Sequence, residues 1–150
     1  MRLAAALGAN EPAAATLAGC RVLSRRGTFL ICREPAAAVD IKLAEGRVDW
    51  DGRFRIEVTD GGGCEIRRLG RSGWAQVTAA APDLRTCPIP PPVRPALPAL
   101  WRDERVVCVP HAGYRDVADA KLPQVGNIYF CPVRPLASAP FAIGGGRPIL

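Results

Sequence analysis

The sequence predicts a mainly β domain of the α+β class. We expect a small antiparallel β-meander or partly open barrel, with one or two short helices and long Pro/Gly-rich loops. Three observations predict it. The 150 residues include 15 glycines and 15 prolines, which divide the chain into short segments. Hydrophobic residues make up 49% of the chain, enough for a core. Short apolar runs rich in β-branched residues recur between turn signals.

The sequence divides into three parts: a helix remnant or linker over residues 1–14, a β-rich domain over 15–135, and a flexible tail over 136–150. In the opening segment Leu3 and Leu7 lie one helical turn apart, and Gly8 and Pro12 mark the end of the helix. The apolar pattern begins almost at the initiator Met without a capping residue. The opening is typical of the trailing part of a longer protein, and a truncated chain, a separately encoded chain and an internal start are the open alternatives.

A β-hairpin follows, formed by "CRVLS" and "TFLIC" around "RRG". Gly27 supplies the positive φ that such a turn commonly needs. Pro35 then leaves the strand and begins a loop that reaches about Val48.

The stretch "VDWDGRFRIEV", residues 48–58, alternates so regularly that it predicts one half-buried strand. One face carries Trp50, Gly52, Phe54, Ile56 and Val58, and the other carries Asp49, Asp51, Arg53, Arg55 and Glu57. The glycines of "DGGG", residues 60–63, predict a second hairpin that leads into "CEIRRL".

The second half of the chain is less regular. "GRSGW" predicts a turn, and residues 75–84 fit either a helical turn or a short strand. "CPIPPPVRPALPALW" predicts a rigid crossover that ends in a short helix over residues 93–100, with a polyproline partner motif as the alternative. "RVVCVP" predicts a buried, central strand and "NIYFCPV" a last strand, separated by a polar loop.

The charge balance favours an anionic partner. The net charge is +6 with a pI near 9.4, and all of the 20 basic residues except Lys42 and Lys121 are arginines. Codon bias in a GC-rich genome would also raise the arginine content. The apolar run near the N-terminus is too short for a signal peptide, and no window reaches the length of a membrane span. We expect a cytoplasmic protein with no membrane partner.

Few residues suggest catalysis. The six cysteines are dispersed without metal-ligand spacing, which predicts buried reduced thiols and no metal site. Cys108 and His111 could form a nucleophile and base, and Asp49 and Asp51 an acid/base pair, but a buried Cys and salt-bridged carboxylates fit as well. The glycine-rich segments lack a phosphate-binding frame. We predict no catalytic residue, metal or cofactor in this chain.

Arginines interleaved with aromatic residues predict an RNA-binding surface, although arginine is also ordinary on the solvated face of a sheet. Trp74, or Tyr114, could stack on an unpaired base. The predicted RNA-binding residues are Arg25, Arg26, Arg33, Arg53, Arg55, Arg67, Arg68, Arg71 and Trp74.

Six short motifs, taken together, resemble the C-terminal portion of bacterial tRNA(Ile)-lysidine synthase. In chain order they are "ATLAGCRV", "ICREP", "WDGRF", "LPALW", "VPHAGY" and "RPLASAPF", spanning residues 15–141. The match falls on Arg33, Glu34, Trp50, Asp51, Gly52, Arg53, Phe54 and Trp101, none of which is catalytic in the family.

The resemblance implies a role in tRNA modification. In that family a PP-loop domain uses ATP to adenylate the wobble cytidine of an isoleucine tRNA, and lysine then displaces AMP. The C-terminal region is thought to bind and position the tRNA. This chain resembles that region without the PP-loop domain, so we expect it to be inactive alone. ATP and Mg²⁺ would belong to a separate catalytic domain or chain.

Two other function classes stay open on the sequence. A small β-rich protein-interaction module could use the proline crossover or an open strand edge. An independent enzyme would need a pocket with perturbed acids or a reactive thiol.

Overall fold

The computed structural model describes residues 14–25, 28–43, 45–119, 121 and 123–133. The predicted opening helix, Gly27 and the whole of the predicted tail, residues 136–150, lie outside these residues. The strands are β1 (Ala14–Leu17), β2 (Cys20–Arg25), β3 (Thr28–Arg33), β4 (Ile41–Lys42), β5 (Gly46–Trp50), β6 (Phe54–Asp60), β7 (Glu65–Arg68), β8 (Pro98–Arg102), β9 (Arg105–Val109), β10 (Tyr114–Arg115) and β11 (Gln124–Phe130), and the α-helix is α1 (Gly70–Ala80).

The strands form three antiparallel sheets. Sheet A has the order β1-β2-β3, sheet B the order β10-β9-β8-β7-β4, and sheet C the order β11-β6-β5. Short 3₁₀ turns at Pro35–Ala37, Pro82–Thr86, Arg94–Ala96 and Pro110–Ala112 interrupt the connections. The sheets do not close into a barrel within the described residues. The prediction of a mainly β, α+β fold is confirmed.

Sheet B lies at the centre of the core, between α1 and sheet C. Ala99 and Val106 belong to a buried cluster that includes Val77 of α1. Leu100 and Val107 belong to a second cluster, against which Val125 of β11 packs. A register shift in the β8–β9 ladder adds a residue to β9. Coverage on both faces explains why "VVCV" is apolar at every position, and the predicted buried strand is confirmed.

The alternating stretch over residues 48–58 is a hairpin, so the prediction of one strand is wrong. Strands β5 and β6 pair antiparallel with Trp50 opposite Phe54. Asp51 and Gly52 turn the chain with φ values of 54° and 62°. Asp-Gly between alternating apolar residues is a strong hairpin signal, which the regular alternation obscured. Because the turn preserves the parity, Trp50, Phe54, Ile56 and Val58 are all buried, as the pattern predicted.

The hairpin predicted at residues 60–63 does not form. Strand β6 lies between β5 and β11, so both of its edges are occupied and β7 cannot pair with it. Gly62 and Gly63, with φ values of 55° and 72°, instead lead the chain from sheet C to sheet B. The glycines mark a crossover between sheets.

The helix predicted over residues 93–100 is also wrong. The chain makes one 3₁₀ turn at Arg94–Ala96 and then enters strand β8, which pairs with β7. Prolines within the segment remove the N–H donors that a longer helix needs.

The described α-helix begins where the sequence predicted a turn, at Gly70, and extends through Ala80. Its Gly73 is buried against sheet B, where an added Cβ would lie 2.8 Å from Trp101 Cζ2. Tertiary packing therefore selects glycine within this helix, in spite of its poor helix propensity.

The hairpin of β2 and β3 and the last strand β11 are confirmed, although β11 lies at 124–130 rather than 127–133. Two short strands, β4 and β10, form in segments that were predicted as loops.

Candidate nucleic-acid interface

The β5–β6 turn holds a compact ionic cluster. The Asp51 carboxylate is 3% exposed and accepts hydrogen bonds from Arg33 Nη2 at 2.7 Å and from Arg53 Nε at 2.7 Å. Arg33 also donates to the backbone oxygens of Gly19 and Ala37, at 3.0 and 3.1 Å. The hydrogen bond to Asp51 raises the pKa of Arg33. Arg33 thus joins sheet A to the β5–β6 turn of sheet C, while Arg53 also donates to the backbone oxygen of Ala96 at 3.3 Å.

Two further predicted arginines are paired with acids on their own sheets. Arg55 donates to both Asp49 oxygens, at 2.8 and 3.1 Å, across the β5–β6 ladder. Arg67 contacts Glu65 at 2.6 Å, and Glu104 lies 3.5 Å away. These carboxylates neutralise much of the positive charge that the sequence placed on the sheet faces.

Arg68, Arg71 and Trp74 come together at the start of α1. They line a groove of about 810 Å³, which we call the basic groove. Sheet A contributes one wall and the proline-rich segment before β8 contributes another. The full lining is Arg21, Glu34, Pro35, Ala36, Arg68, Gly70, Arg71, Ser72, Trp74, Pro91, Pro92, Arg94 and Pro95.

Most arginines of the basic groove keep an uncompensated charge. Arg68 donates to the backbone oxygen of Pro35 at 3.0 Å, and Arg71 makes no ion pair or hydrogen bond with any described residue. Arg21 lies 3.6 Å from Glu34, the one acid among the described residues that line the groove. Four guanidinium groups therefore face one carboxylate.

Arg94 is held in place by neutral groups. Its guanidinium carbon lies 4.6 Å from the centre of the Trp74 ring, within cation–π range. It donates to the backbone oxygens of Ile89 at 2.9 Å and Cys87 at 3.4 Å. The side chain is oriented without a carboxylate, so its charge stays available to an anion.

Sequence reasoning missed Arg21 and Arg94 as members of this site. Arg94 lies in the proline-rich segment, which was interpreted as a rigid crossover. Arg21 lies on β2, and the sequence does not show which part of the chain that strand packs against. The spacing of Arg71 and Trp74 was a usable signal, because residues three apart on a helix lie side by side. Arg26 lies outside the described residues, and the Arg25 side chain is not described.

Cys108 and His111, considered above as a nucleophile and base, form no hydrogen bond with each other in the described structure. Cys108 is buried, and burial raises the pKa of its thiol. The His111 side chain is exposed, although one edge of its ring packs on Phe54 at 5.1 Å; this partial desolvation, together with nearby Arg53, lowers its pKa. A thiol with a raised pKa is a poor nucleophile at neutral pH.

Within the described residues, no group of three or more His, Cys, Asp or Glu side chains could hold a metal ion. The helix found in that part of the chain is too short to cross a membrane. Tyr114, the alternative stacking residue, lies on β10 and lines a different, smaller cavity.

Comparisons with known proteins give no relative: no protein-family model, curated protein or solved structure matches the chain.

Proposed function

We propose that this chain binds RNA through the basic groove and positions a tRNA for a lysidine-forming ligase. The observation that carries the proposal is the gathering of three arginines around one concave surface, none of them paired with a carboxylate of the described part of the chain: Arg68, Arg71 and Arg94. Guanidinium groups match phosphate geometry and remain charged at any physiological pH. The motif resemblance supports tRNA as the RNA, with the isoleucine tRNA that carries a wobble cytidine as the expected substrate.

The proposed role is holding, and the chemistry would belong to a PP-loop catalytic domain or chain. An enzyme that modifies one base of a large RNA needs phosphate contacts far from the reacting atom. ATP and Mg²⁺ would bind to that catalytic partner. We place the complex in the cytoplasm.

The test is binding of labelled, unmodified isoleucine tRNA and of an unrelated tRNA at low and moderate salt. We expect binding that weakens steeply with salt, because phosphate contacts release counterions. The double variant Arg68→Gln/Arg71→Gln should bind at least tenfold more weakly. Each lost phosphate contact should reduce the slope of log affinity against log salt by about 1.

The matched control is Arg47→Gln/Arg85→Gln, which removes the same charge from two exposed arginines outside the groove. This variant should keep most of the affinity. Equal losses in both variants would show that net charge, rather than the groove, attracts the tRNA. No binding at low salt would overturn the proposal.

A protein-interaction module is the second candidate, and the edge strand β3 favours it. Phe29 is 50% exposed and Ile31 is 67% exposed, on the same side of an edge strand of sheet A. An extended peptide could pair with such an edge. Binding to a protein there would respond little to salt and would be lost in Phe29→Ser/Ile31→Ser, whereas RNA binding in the groove would remain.

A further inference from the structure

We propose that the basic groove accepts an unpaired RNA segment, with phosphates at Arg68 and Arg71 and a base stacked on the platform formed by Trp74 and Arg94. The inference rests on the RNA-binding function proposed above and specifies which form of RNA the groove recognises.

The lining combines charge with flat apolar surface. Besides its arginines, the groove presents the Trp74 indole and four proline rings, those of Pro35, Pro91, Pro92 and Pro95. A double helix presents phosphates outward and keeps its bases stacked inside, so rings within a concave site would find no base to contact. An unpaired strand exposes base faces and phosphates together. The lining therefore matches an unpaired strand better than a duplex.

The Trp74–Arg94 pair is fixed before any ligand arrives. The guanidinium donates to the carbonyl oxygens of Cys87 and Ile89, and its carbon lies 4.6 Å from the centre of the indole ring. Bases stack on aromatic rings and on arginine planes without regard to sequence. A preorganised platform loses little side-chain freedom on binding. We infer that it contributes affinity for any base.

The phosphate contacts lie next to this platform. Arg71 and Trp74 are three residues apart on α1, which places their side chains on one helix face. Arg68 precedes the helix and donates to the Pro35 backbone oxygen, while Arg71 makes no hydrogen bond or ion pair within the described part of the chain. One segment of RNA can thus contact a cation and the platform simultaneously.

The experiment compares three polyanions at equal phosphate concentration: a short uridine-rich RNA strand, the same strand annealed to its complement, and inorganic polyphosphate. We expect the single strand to bind at least tenfold more tightly than the duplex or polyphosphate. It should also quench tryptophan fluorescence. Trp50 and Trp101 are buried, at 0% and 6% exposure, so the change should come from Trp74 and should be absent in Trp74→Phe.

Two substitutions separate stacking from charge. Arg94→Lys keeps the charge and removes the planar group, and should weaken single-strand binding several-fold without changing polyphosphate binding. Arg71→Gln should weaken all three ligands. The control Arg85→Gln should bind each ligand like the wild type. Trp74→Leu should lose the single-strand preference provided that its circular dichroism spectrum is native.

The outcomes are distinguishable. Tighter or equal binding of the duplex, or single-strand binding without quenching, would overturn this inference while leaving the RNA-binding function in place. Failure of the single strand, the duplex and the tRNA to bind at low salt would overturn both.

Discussion

The β5–β6 turn and the basic groove use the same residue type for opposite purposes. At the turn, Arg33 and Arg53 both form ion pairs with the buried carboxylate of Asp51, which neutralises part of their charge. In the groove, Arg68 and Arg94 are anchored by backbone oxygens, which orient a guanidinium without neutralising it. The partner of an arginine therefore decides its role. A count of arginines in the sequence cannot separate these two roles.

The largest effect that this comparison predicts is on Asp51. Asp51→Asn keeps the shape and tolerates the positive φ of 54°, but it leaves two arginines without a counter-charge. Removing one partner of a buried ionic cluster is costly, although both guanidinium groups can still reach water here. We expect a loss of about 2–4 kcal/mol in the free energy of unfolding, measured by urea denaturation. A loss below about 0.5 kcal/mol would show that the cluster contributes little to the stability of the fold.

A matched pair of arginine substitutions sharpens the contrast. Arg33→Gln removes hydrogen bonds to Asp51, Gly19 and Ala37, and should destabilise the fold by about 1–3 kcal/mol. Arg71→Gln removes no described contact and should stay within about 0.5 kcal/mol of wild type. Thermal and urea unfolding of both variants would measure the difference. Equal destabilisation would contradict the division of the arginines into structural and free sets.

The turn region should also respond to pH through His111, the single histidine of the sequence. Partial desolvation against Phe54 and the charge of Arg53 lower its folded-state pKa, and because the side chain is exposed, solvent screening keeps the effect on stability small. The unfolded chain therefore takes up the proton first, and stability should fall as pH decreases from the ordinary histidine pKa near 6.5 toward the lower folded value. Urea unfolding at pH 7.5 and 5.5 measures this loss. His111→Gln should reduce it, and an unchanged loss would assign it to carboxylates.

The smallest expected effect is at the exposed Asp49–Arg55 pair. The hydrogen bond from Arg55 lowers the Asp49 pKa, so the pair stabilises the fold above the ordinary aspartate pKa and loses that effect as pH falls through the lowered value. Solvent screening keeps the contribution small. Asp49→Asn should unfold nearly like wild type at neutral pH in moderate salt. A large loss of stability in Asp49→Asn would show that this pair, like the Asp51 cluster, is required for the fold and is not an ordinary surface ion pair.

Local pattern predicted strands β2, β3, β7, β9 and β11 and the buried face of β5 and β6, but it did not predict β4, β8 or β10, or how the strands associate. The alternation around Trp50 identified the core side correctly even though the chain reverses at Asp51 and Gly52. After residues 60–63 the chain enters sheet B instead of pairing with β6, because β11, a strand far along the sequence, already occupies that edge of β6.

The same limit applied to the site. Arg71 and Trp74 were recognisable as neighbours, but Arg21 and Arg94 join them only through tertiary structure. Likewise, Arg53 and Arg67 looked like available cations until their acidic partners were located in space. Side-chain pairing of this kind cannot be derived from the spacing of residues along the chain.

The way in which sheet A is attached to the rest of the fold determines where local unfolding should begin. Among the residues of β1, β2 and β3 whose side chains are described, only Cys32 is buried and none belongs to one of the three core clusters; Arg33 joins the sheet to sheet C through Asp51. Regions with few buried apolar contacts unfold locally at a lower free energy than the core. We therefore expect the amides of sheet A to exchange with solvent through a sub-global opening, well before those of β8 and β9. Since Arg21 and Glu34 of one groove wall belong to or adjoin this sheet, such an opening would widen the groove while the rest of the fold remains intact.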